Sequence, residues 1–438
     1  MKAIIFDLDN TLFKTDHCQV YLRSKAGRSV IPQLIKDGKV KVRPINDRII
    51  NFVNKLINNK NCDVYIFSDS PKNYCLSILE YHNVNINSDN VYGSQHKPTA
   101  EDSYILDSYK DVIIIGDSPK DIYFAHINSA ISVLIGNFNE SEINYYKFWT
   151  KPTTIITKKL QLESYIELFL SDSIQFSKPE ISTNYITADP NTADISSLNL
   201  DRIGYSFEYW PNPNDWGDDS HKKKVWFEVQ RSIKVSKYLT ETEIEEGKAV
   251  SFYNQNGTIG EGRPFRKLAY SYYLEFKKWL LSNKIRGRIY LVATPSSVPF
   301  ECNKSSPIQI LIDLWSTYAF HNKDELGCEI IPRAIVERFW PTKPAHMSNG
   351  RREIEPHLET LGIYSEAKKF EDPDAVIIID DVVTSGTQMK AVATLLSEAE
   401  MYPADTPVYG YALVKTTRPN STLEELLHEF SNAEKGGA

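Results

Sequence analysis

Cysteine is scarce and scattered. Five thiols (Cys18, Cys62, Cys75, Cys302, Cys328) stand in 438 residues without a CxxC spacing, which argues against a disulfide framework or a zinc site. Long apolar runs are missing too, and none approaches the roughly 20 residues needed to span a bilayer, so no membrane partner is expected. Basic charge is not in excess: 50 Lys and Arg face 57 Asp and Glu, for a net charge of -7. Without a global basic field, nucleic acid is not an expected partner. Acids also fall where the apolar core of a signal peptide would lie. Together these absences lead to a cytoplasmic, soluble protein with reduced thiols. A hydrophobic content of 41% and a charged content of 24% are those of a globular chain, long enough for two or three domains.

What is present begins at once. Met1 to Phe13 reads MKAIIFDLDNTLF, in which Ala3 to Phe6 form a short apolar run suited to a buried strand. Asp7, Asp9 and Thr11 follow at alternate positions. Two carboxylates so spaced would point the same way beyond the strand end, and their repulsion asks for a cation such as Mg2+. One carboxylate can act as a nucleophile on phosphorus and its neighbour as general acid, then base. An ordinary Asp-Asn-Thr turn is the bland alternative, and the rest of the chain decides between them.

Further strands are read at Asp63–Ser68, Asp111–Gly116 and Ala130–Ile135. A helix is expected from Pro44, another over Pro71–Tyr81 and a third after Asp117-Ser-Pro-Lys-Asp121. Alternating strands and helices mean a parallel sheet with its ligands beyond the carboxyl strand ends, where Asp7, Ser68 and Asp117 fall. The pattern resembles the haloacid dehalogenase (HAD) superfamily of phosphatases over about residues 1–170. Asp7-Leu8-Asp9-Asn10-Thr11, Ser68, Lys97 and Gly116-Asp117-Ser118-x-x-Asp121 match its four motifs in order. The resemblance implies Asp7 as nucleophile, Asp9 as acid and base, and Ser68 and Lys97 as phosphoryl-binding groups. Asp7, Asp117 and the carbonyl of Asp9 would hold Mg2+, and Asp121 would steer Lys97 or a metal-bound water. Residues 14–43 leave room for only a small helical cap, which resembles open-sited members of the superfamily that act on large substrates or borrow a lid from another domain.

From 171 to 200 Ser, Thr, Asn, Asp and Pro dominate, a linker signature. Residues 201–286 are aromatic-rich, an extension or hood. Two strand-like runs (Val225–Val229, Val250–Tyr253) precede a helix over Phe265–Leu281, whose stripe of Leu268, Tyr272, Phe276 and Trp279 reads as core before it reads as a base-stacking surface. Lys222-Lys223-Lys224 reads as a solvated corner.

A second α/β unit is expected over 287–438. A strand at Ile289–Ala293 ends in Thr294-Pro-Ser296-Ser297, and another at Ala375–Ile379 runs into Asp380-Asp381-Val-Val-Thr384-Ser385-Gly386-Thr387 and a helix. Turn N–H groups and hydroxyls at a helix N-terminus surround a phosphate well, and the two acids would take ribose hydroxyls. A capped strand-turn-helix joint needs one such residue and no acid pair. The stretch resembles the phosphoribosyl pyrophosphate (PRPP) motif of type I phosphoribosyltransferases, which implies ribose on Asp380 and Asp381 and the 5′-phosphate on Thr384 to Thr387. Thr294, Ser296 and Ser297 fall where the family's pyrophosphate loop falls, and Arg351 or Arg352 would be a mobile-loop cation.

The expected architecture is therefore α/β, with two Rossmann-like parallel-sheet domains joined by a polar linker. The expected function is a bifunctional Mg2+-dependent phosphatase and phosphoribosyltransferase that makes and dephosphorylates a nucleotide. Its partners would be small-molecule phosphates and PRPP or a nucleotide, with a homodimer admitted. A stress-response protein that only senses PRPP or nucleotides and a nucleic-acid end phosphatase are the alternatives.

Overall fold

The computed structural model describes residues 1–46, 48–158, 160–342 and 353–417. Its first sheet contains β1 (Lys2–Phe6), β2 (Cys62–Phe67), β3 (Val91–Tyr92), β4 (Asp111–Gly116), β5 (Ile131–Ile135) and β6 (Thr154–Ile156), in the order β3-β2-β1-β4-β5-β6. β1 runs parallel to both neighbours, with Ile5 opposite Tyr65 and Ile114. Ile4 and Phe6 enter one core, Ala3 and Ile5 another, and all four are fully buried. Burial on both faces explains why the run is apolar throughout instead of alternating. Strand order reverses between β1 and β4, which opens a crevice at their carboxyl ends.

The insertion after β1 is small. It holds α1 (Gln19–Leu22), α2 (Lys25–Lys36) and an antiparallel pair, Phe13–Lys14 with Arg43–Pro44. Pro44 therefore belongs to a strand and does not start the next helix. That helix, α3 (Ile49–Ile57), begins where the Asn46 side chain accepts from the N–H groups of Arg48 and Ile49, at 2.9 Å each. Then α4 (Lys72–Tyr81) follows β2, and α5 (Pro119–Ile127) follows β4.

The second sheet is also parallel: β7 (Ile203–Tyr209), β8 (Gly287–Ala293), β9 (Cys328–Arg333), β10 (Ala375–Val383) and β11 (Val408–Thr416), in the order β7-β11-β10-β8-β9. Residues 201–286 are thus partly built into this sheet, since β7 forms its edge. Val225 to Val229 is helical, contrary to the strand reading. Asp219 caps the N–H groups of His221 and Lys222 to start α6 (Ser220–Glu228), and Val225 and Val229 bury one helical face. α7 (Phe265–Ser282) lays its aromatic stripe on the sheet. Phe276 stacks on Trp315 of α8 (Pro307–His321) at 4.6 Å and meets Tyr411 edge-on at 4.9 Å, so the stripe is core.

Residues 171–200 lie along the protein as a strap. Ile181, Ala188 and Leu198 are buried, and Tyr185–Ile186 pairs with Leu361–Tyr364 in a three-stranded sheet. Tyr123 of α5 packs with Ile181 and Phe339, and Tyr21 packs against Tyr253 at 5.1 Å. Ser24 donates to the Tyr253 carbonyl at 2.6 Å and Arg23 to that of Ser251 at 3.2 Å. No helix among the described residues is long and apolar enough to cross a membrane.

Phe276→Ala should destabilise the second sheet by about 3–5 kcal/mol, because a fully buried ring leaves a cavity between two helices and the sheet. Tyr270→Ala, on the exposed side of the same helix, should stay within about 0.5 kcal/mol. Denaturant midpoints of the two variants test the contrast.

Candidate active site

Asp7 follows β1 directly, and its N–H donates to the Ile115 carbonyl at 2.9 Å, so the carboxylate is held at the crevice. Lys97 reaches it from the loop after β3. The ammonium donates to Asp7 Oδ1 at 2.6 Å, to the Phe67 carbonyl at 3.1 Å and to Asp121 Oδ1. Asp7 and Lys97 are each 6% exposed. Thr11 donates to the other Asp7 oxygen at 3.2 Å. Asp121 is fixed in turn, because its Oδ2 accepts from the Ser118 hydroxyl at 2.8 Å and the Ser118 N–H at 3.2 Å. Gly116 makes this possible: a Cβ there would stand 2.1 Å from the Asp121 carboxyl carbon.

Electrostatics follow from this crowding. Oxygens of Asp7, Asp117 and Asp121 all lie within 4.8 Å of one another. Burial, with the Asp121 charge beside it, pushes Asp117 up to about 8. Burial also raises Asp7, against the pull of Lys97. For Lys97, burial favours the neutral amine, but Asp121, Asp7 and Asp69 outweigh it and keep the ammonium charged. Three carboxylates, those of Asp7, Asp117 and Asp121, thus crowd one ammonium. This all-oxygen, over-negative donor set fits a hard divalent cation.

Asp9 turns its carboxylate away from that cluster. It accepts from Ser70 at 2.6 Å, from Tyr74 at 2.8 Å and from Ser68 at 3.4 Å, while Ser68 itself accepts the Ser70 N–H at 3.0 Å. The arrangement holds the Asp9 carboxylate apart from that of Asp7. Ser70 and Tyr74 were not singled out from sequence. The signal available was their place, within the loop and first turn that follow the β2 hydroxyl. Asp69 was missed as well. Its Oδ1 accepts the Lys97 N–H at 2.7 Å and its Oδ2 pairs with Lys120 at 3.1 Å.

The second unit reaches the helix that carries Asp121. The turn Phe300–Cys302 packs on α5, with Cys302 in the field of Lys120 and Asp121. The same segment begins at the second candidate site. There Thr294 N–H donates to the Ile379 carbonyl at 2.8 Å, and Gln388 donates to the Pro295 carbonyl. β10 extends through Asp380 and Asp381, so the acid pair lies on the strand and not in the turn. Gly386 has φ 76, a left-handed value that a side chain would strain, and it starts α9 (Thr387–Glu398). Around it Ser385 and Thr387 share a hydroxyl contact at 2.8 Å, and Thr384 donates to Thr416 at 3.0 Å. The Ser296 and Ser297 carbonyls are held by Arg338 at 2.6 Å and the Thr342 N–H at 2.9 Å. Arg351 and Arg352 lie outside the described residues.

The family model for NLI interacting factor-like phosphatase matches residues 2–143. That segment carries a HAD-like phosphatase domain. No curated protein sequence matches the chain. Among solved structures, a hydrolase from Pseudomonas syringae aligns at 15% identity over 38% of this chain and 98% of its own, with a TM-score of 0.29. The L-2-haloacid dehalogenase from Xanthobacter autotrophicus aligns at 10% identity over 38% and 98%, with a TM-score of 0.27. The phosphatase assignment rests on the family match and the geometry, not on these two neighbours.

Two outcomes follow from this geometry. Ser70→Ala combined with Tyr74→Phe should lower kcat for a phosphate monoester about tenfold with little change in KM, because the Asp9 carboxylate loses its aim and not the substrate its phosphate contacts. Steady-state kinetics read the split. Burial and the neighbouring Asp381 push Asp380 up to about 8 from an ordinary 3.8. The folded chain therefore keeps a proton that the unfolded chain has lost, and stability falls as pH rises from about 4 to about 8. Asp380→Asn removes that loss, so its Tm relative to wild type should climb across this window in calorimetric scans.

Proposed function

We propose that the chain is a bifunctional enzyme, a Mg2+-dependent phosphatase joined to a phosphoribosyltransferase that uses PRPP. The observation that carries the first half is Lys97 held between Asp7 and Asp121 at the switch point of the first sheet. Asp7 would attack phosphorus and form an aspartyl-phosphate as the ester oxygen leaves. Asp9 would give that oxygen a proton and later take one from the hydrolytic water. Lys97 and Ser68 would hold the phosphoryl oxygens. Asp7, Asp117 and the Asp9 carbonyl would hold Mg2+, with Asp121 close by, and the ion would offset charge on the transferring group.

The second half rests on the half-buried acid pair Asp380–Asp381, followed by Thr384 to Thr387 at the start of a 12-residue helix. The carboxylates would accept from ribose hydroxyls, and the turn would take the 5′-phosphate. Thr294, Ser296 and Ser297 would face the pyrophosphate. Removal of the product's phosphate next door would pull a near-reversible transfer forward.

One observation favours a second reading, in which PRPP or a nucleotide is sensed and not converted. The segment that begins at Thr294 beside Asp380 ends at Cys302 on the phosphatase helix, so occupancy of one site could be felt at the other.

Asp7→Asn should reduce phosphatase turnover at least a thousandfold and leave calorimetric binding of PRPP with Mg2+ intact. Asp380→Asn with Asp381→Asn should do the reverse. Loss of both properties in either folded variant would refute two separate sites. PRPP binding without transfer to any base, together with a changed phosphatase rate, would select the sensing reading.

A further inference from the structure

Beside the insertion lies a basic cavity that neither proposed reaction uses. It is an open depression of about 650 Å³, lined by Lys14, His17, Lys39, Lys41 and Arg43, with Tyr21 as an apolar wall. All five basic side chains are exposed, and no carboxylate lines the cavity. Lys39 has one acidic partner, Asp37, at 3.1 Å. Ile259, from the hairpin of the second unit, closes one side.

This concentration of cations runs against the chain's net charge of -7. It also carries a structural cost. Lys14 and Arg43 are direct partners across the antiparallel pair, where like charges repel. A multiply charged anion relieves that repulsion, and an open depression of this size has room for a nucleotide-sized ligand. The lining loop is moreover the continuation of the catalytic one. Asp9 bridges to Phe13, Asn10 donates to Asp16 at 2.8 Å, and the Thr15 N–H donates to Asn10 at 3.1 Å.

We propose that this cavity binds the phosphate chain of a nucleotide-sized polyanion, separately from the acidic crevice and from the turn at Thr384 to Thr387. The recognised chemistry is a run of phosphoanhydride oxygens, whether free or carried on a nucleoside. Lys39, Lys41 and Arg43 supply charge from one arm of the insertion and Lys14 from the other, with the His17 ring beside it. Tyr21, packed on Tyr253, offers a ring beside them.

The test is calorimetric titration of inorganic tripolyphosphate, without divalent cation, into the full chain carrying Asp7→Asn and into the same chain also carrying Lys39→Glu, Lys41→Glu and Arg43→Glu. The parent should bind, with affinity that falls steeply as salt is raised, and the triple change should weaken binding at least tenfold. Equal affinity in the two chains, or no binding to the parent, overturns the proposal. ATP in a second arm separates the sources. Equal affinities mean that the phosphate chain alone is read, and tighter ATP means that the nucleoside adds contacts; a loss on the triple change supports the site in both cases. Matching thermal midpoints exclude unfolding as the cause. Binding is read without turnover, so failure of the phosphatase reading would leave this result standing.

Discussion

The Lys97 ammonium is the group on which the first unit depends. It lies in a buried crevice, touching Asp7 after β1, the Phe67 carbonyl at the end of β2 and Asp121 on α5. Three separate elements are thereby tied at one point beyond the sheet. A buried ion pair contributes little over a well-packed apolar substitute, but removing one partner alone is severe because the other charge is left uncompensated. Here the uncompensated groups would be the carboxylates of Asp7 and Asp121. The fold and the site therefore share one interaction, and the excess of carboxylates over ammonium leaves room for a further positive charge.

A consequence reaches into the second unit. The insertion after β1 is small, and the turn Phe300–Cys302 occupies ground beside α5. That turn is the far end of the loop leaving β8, whose near end lies on the acid-bearing strand β10. Arg338, fully buried, anchors the middle of the loop through the Ser296 carbonyl and also donates to Thr360. A displacement at Ser296 would thus have to move either a buried guanidinium or the turn on α5. Close packing favours discrete alternatives over gradual yielding.

Much of this was legible in the residues. The apolar runs at Ala3–Phe6, Asp111–Gly116 and Ala375–Ile379 are strands because both faces are covered, and such runs are visible without context. The acids at 7, 117 and 121 and the lysine at 97 are drawn together because strand ends share one edge of a parallel sheet. What escaped was set by contacts distant in sequence or by caps. Val225–Val229 has strand-forming residues, yet Asp219 nucleates a helix and the periodicity of burial decides it. Ser70 and Tyr74 look like ordinary loop and helix residues until Asp9 is placed against them. The strap 171–200 is polar enough to pass for a tether, but Ile181, Ala188 and Leu198 hold it to the surface.

The two sheets solve the same problem in the same way. Each ends a buried strand in carboxylates, and each raises an acid group to about 8, Asp117 in one and Asp380 in the other. Neither is an arrangement that stability alone would retain, since burying like charges side by side opposes folding. Local choices elsewhere agree with the fold, from the Asp219 cap to the aromatic core between α7 and α8. Places where a chain breaks its own local rules while its surroundings obey them are where function concentrates. By that criterion Asp380 and Asp381 stand with Asp7 and Asp117 as the places where each sheet departs from its own local rules. The basic arms at Lys14 and at Lys39 to Arg43 break the rule with opposite sign.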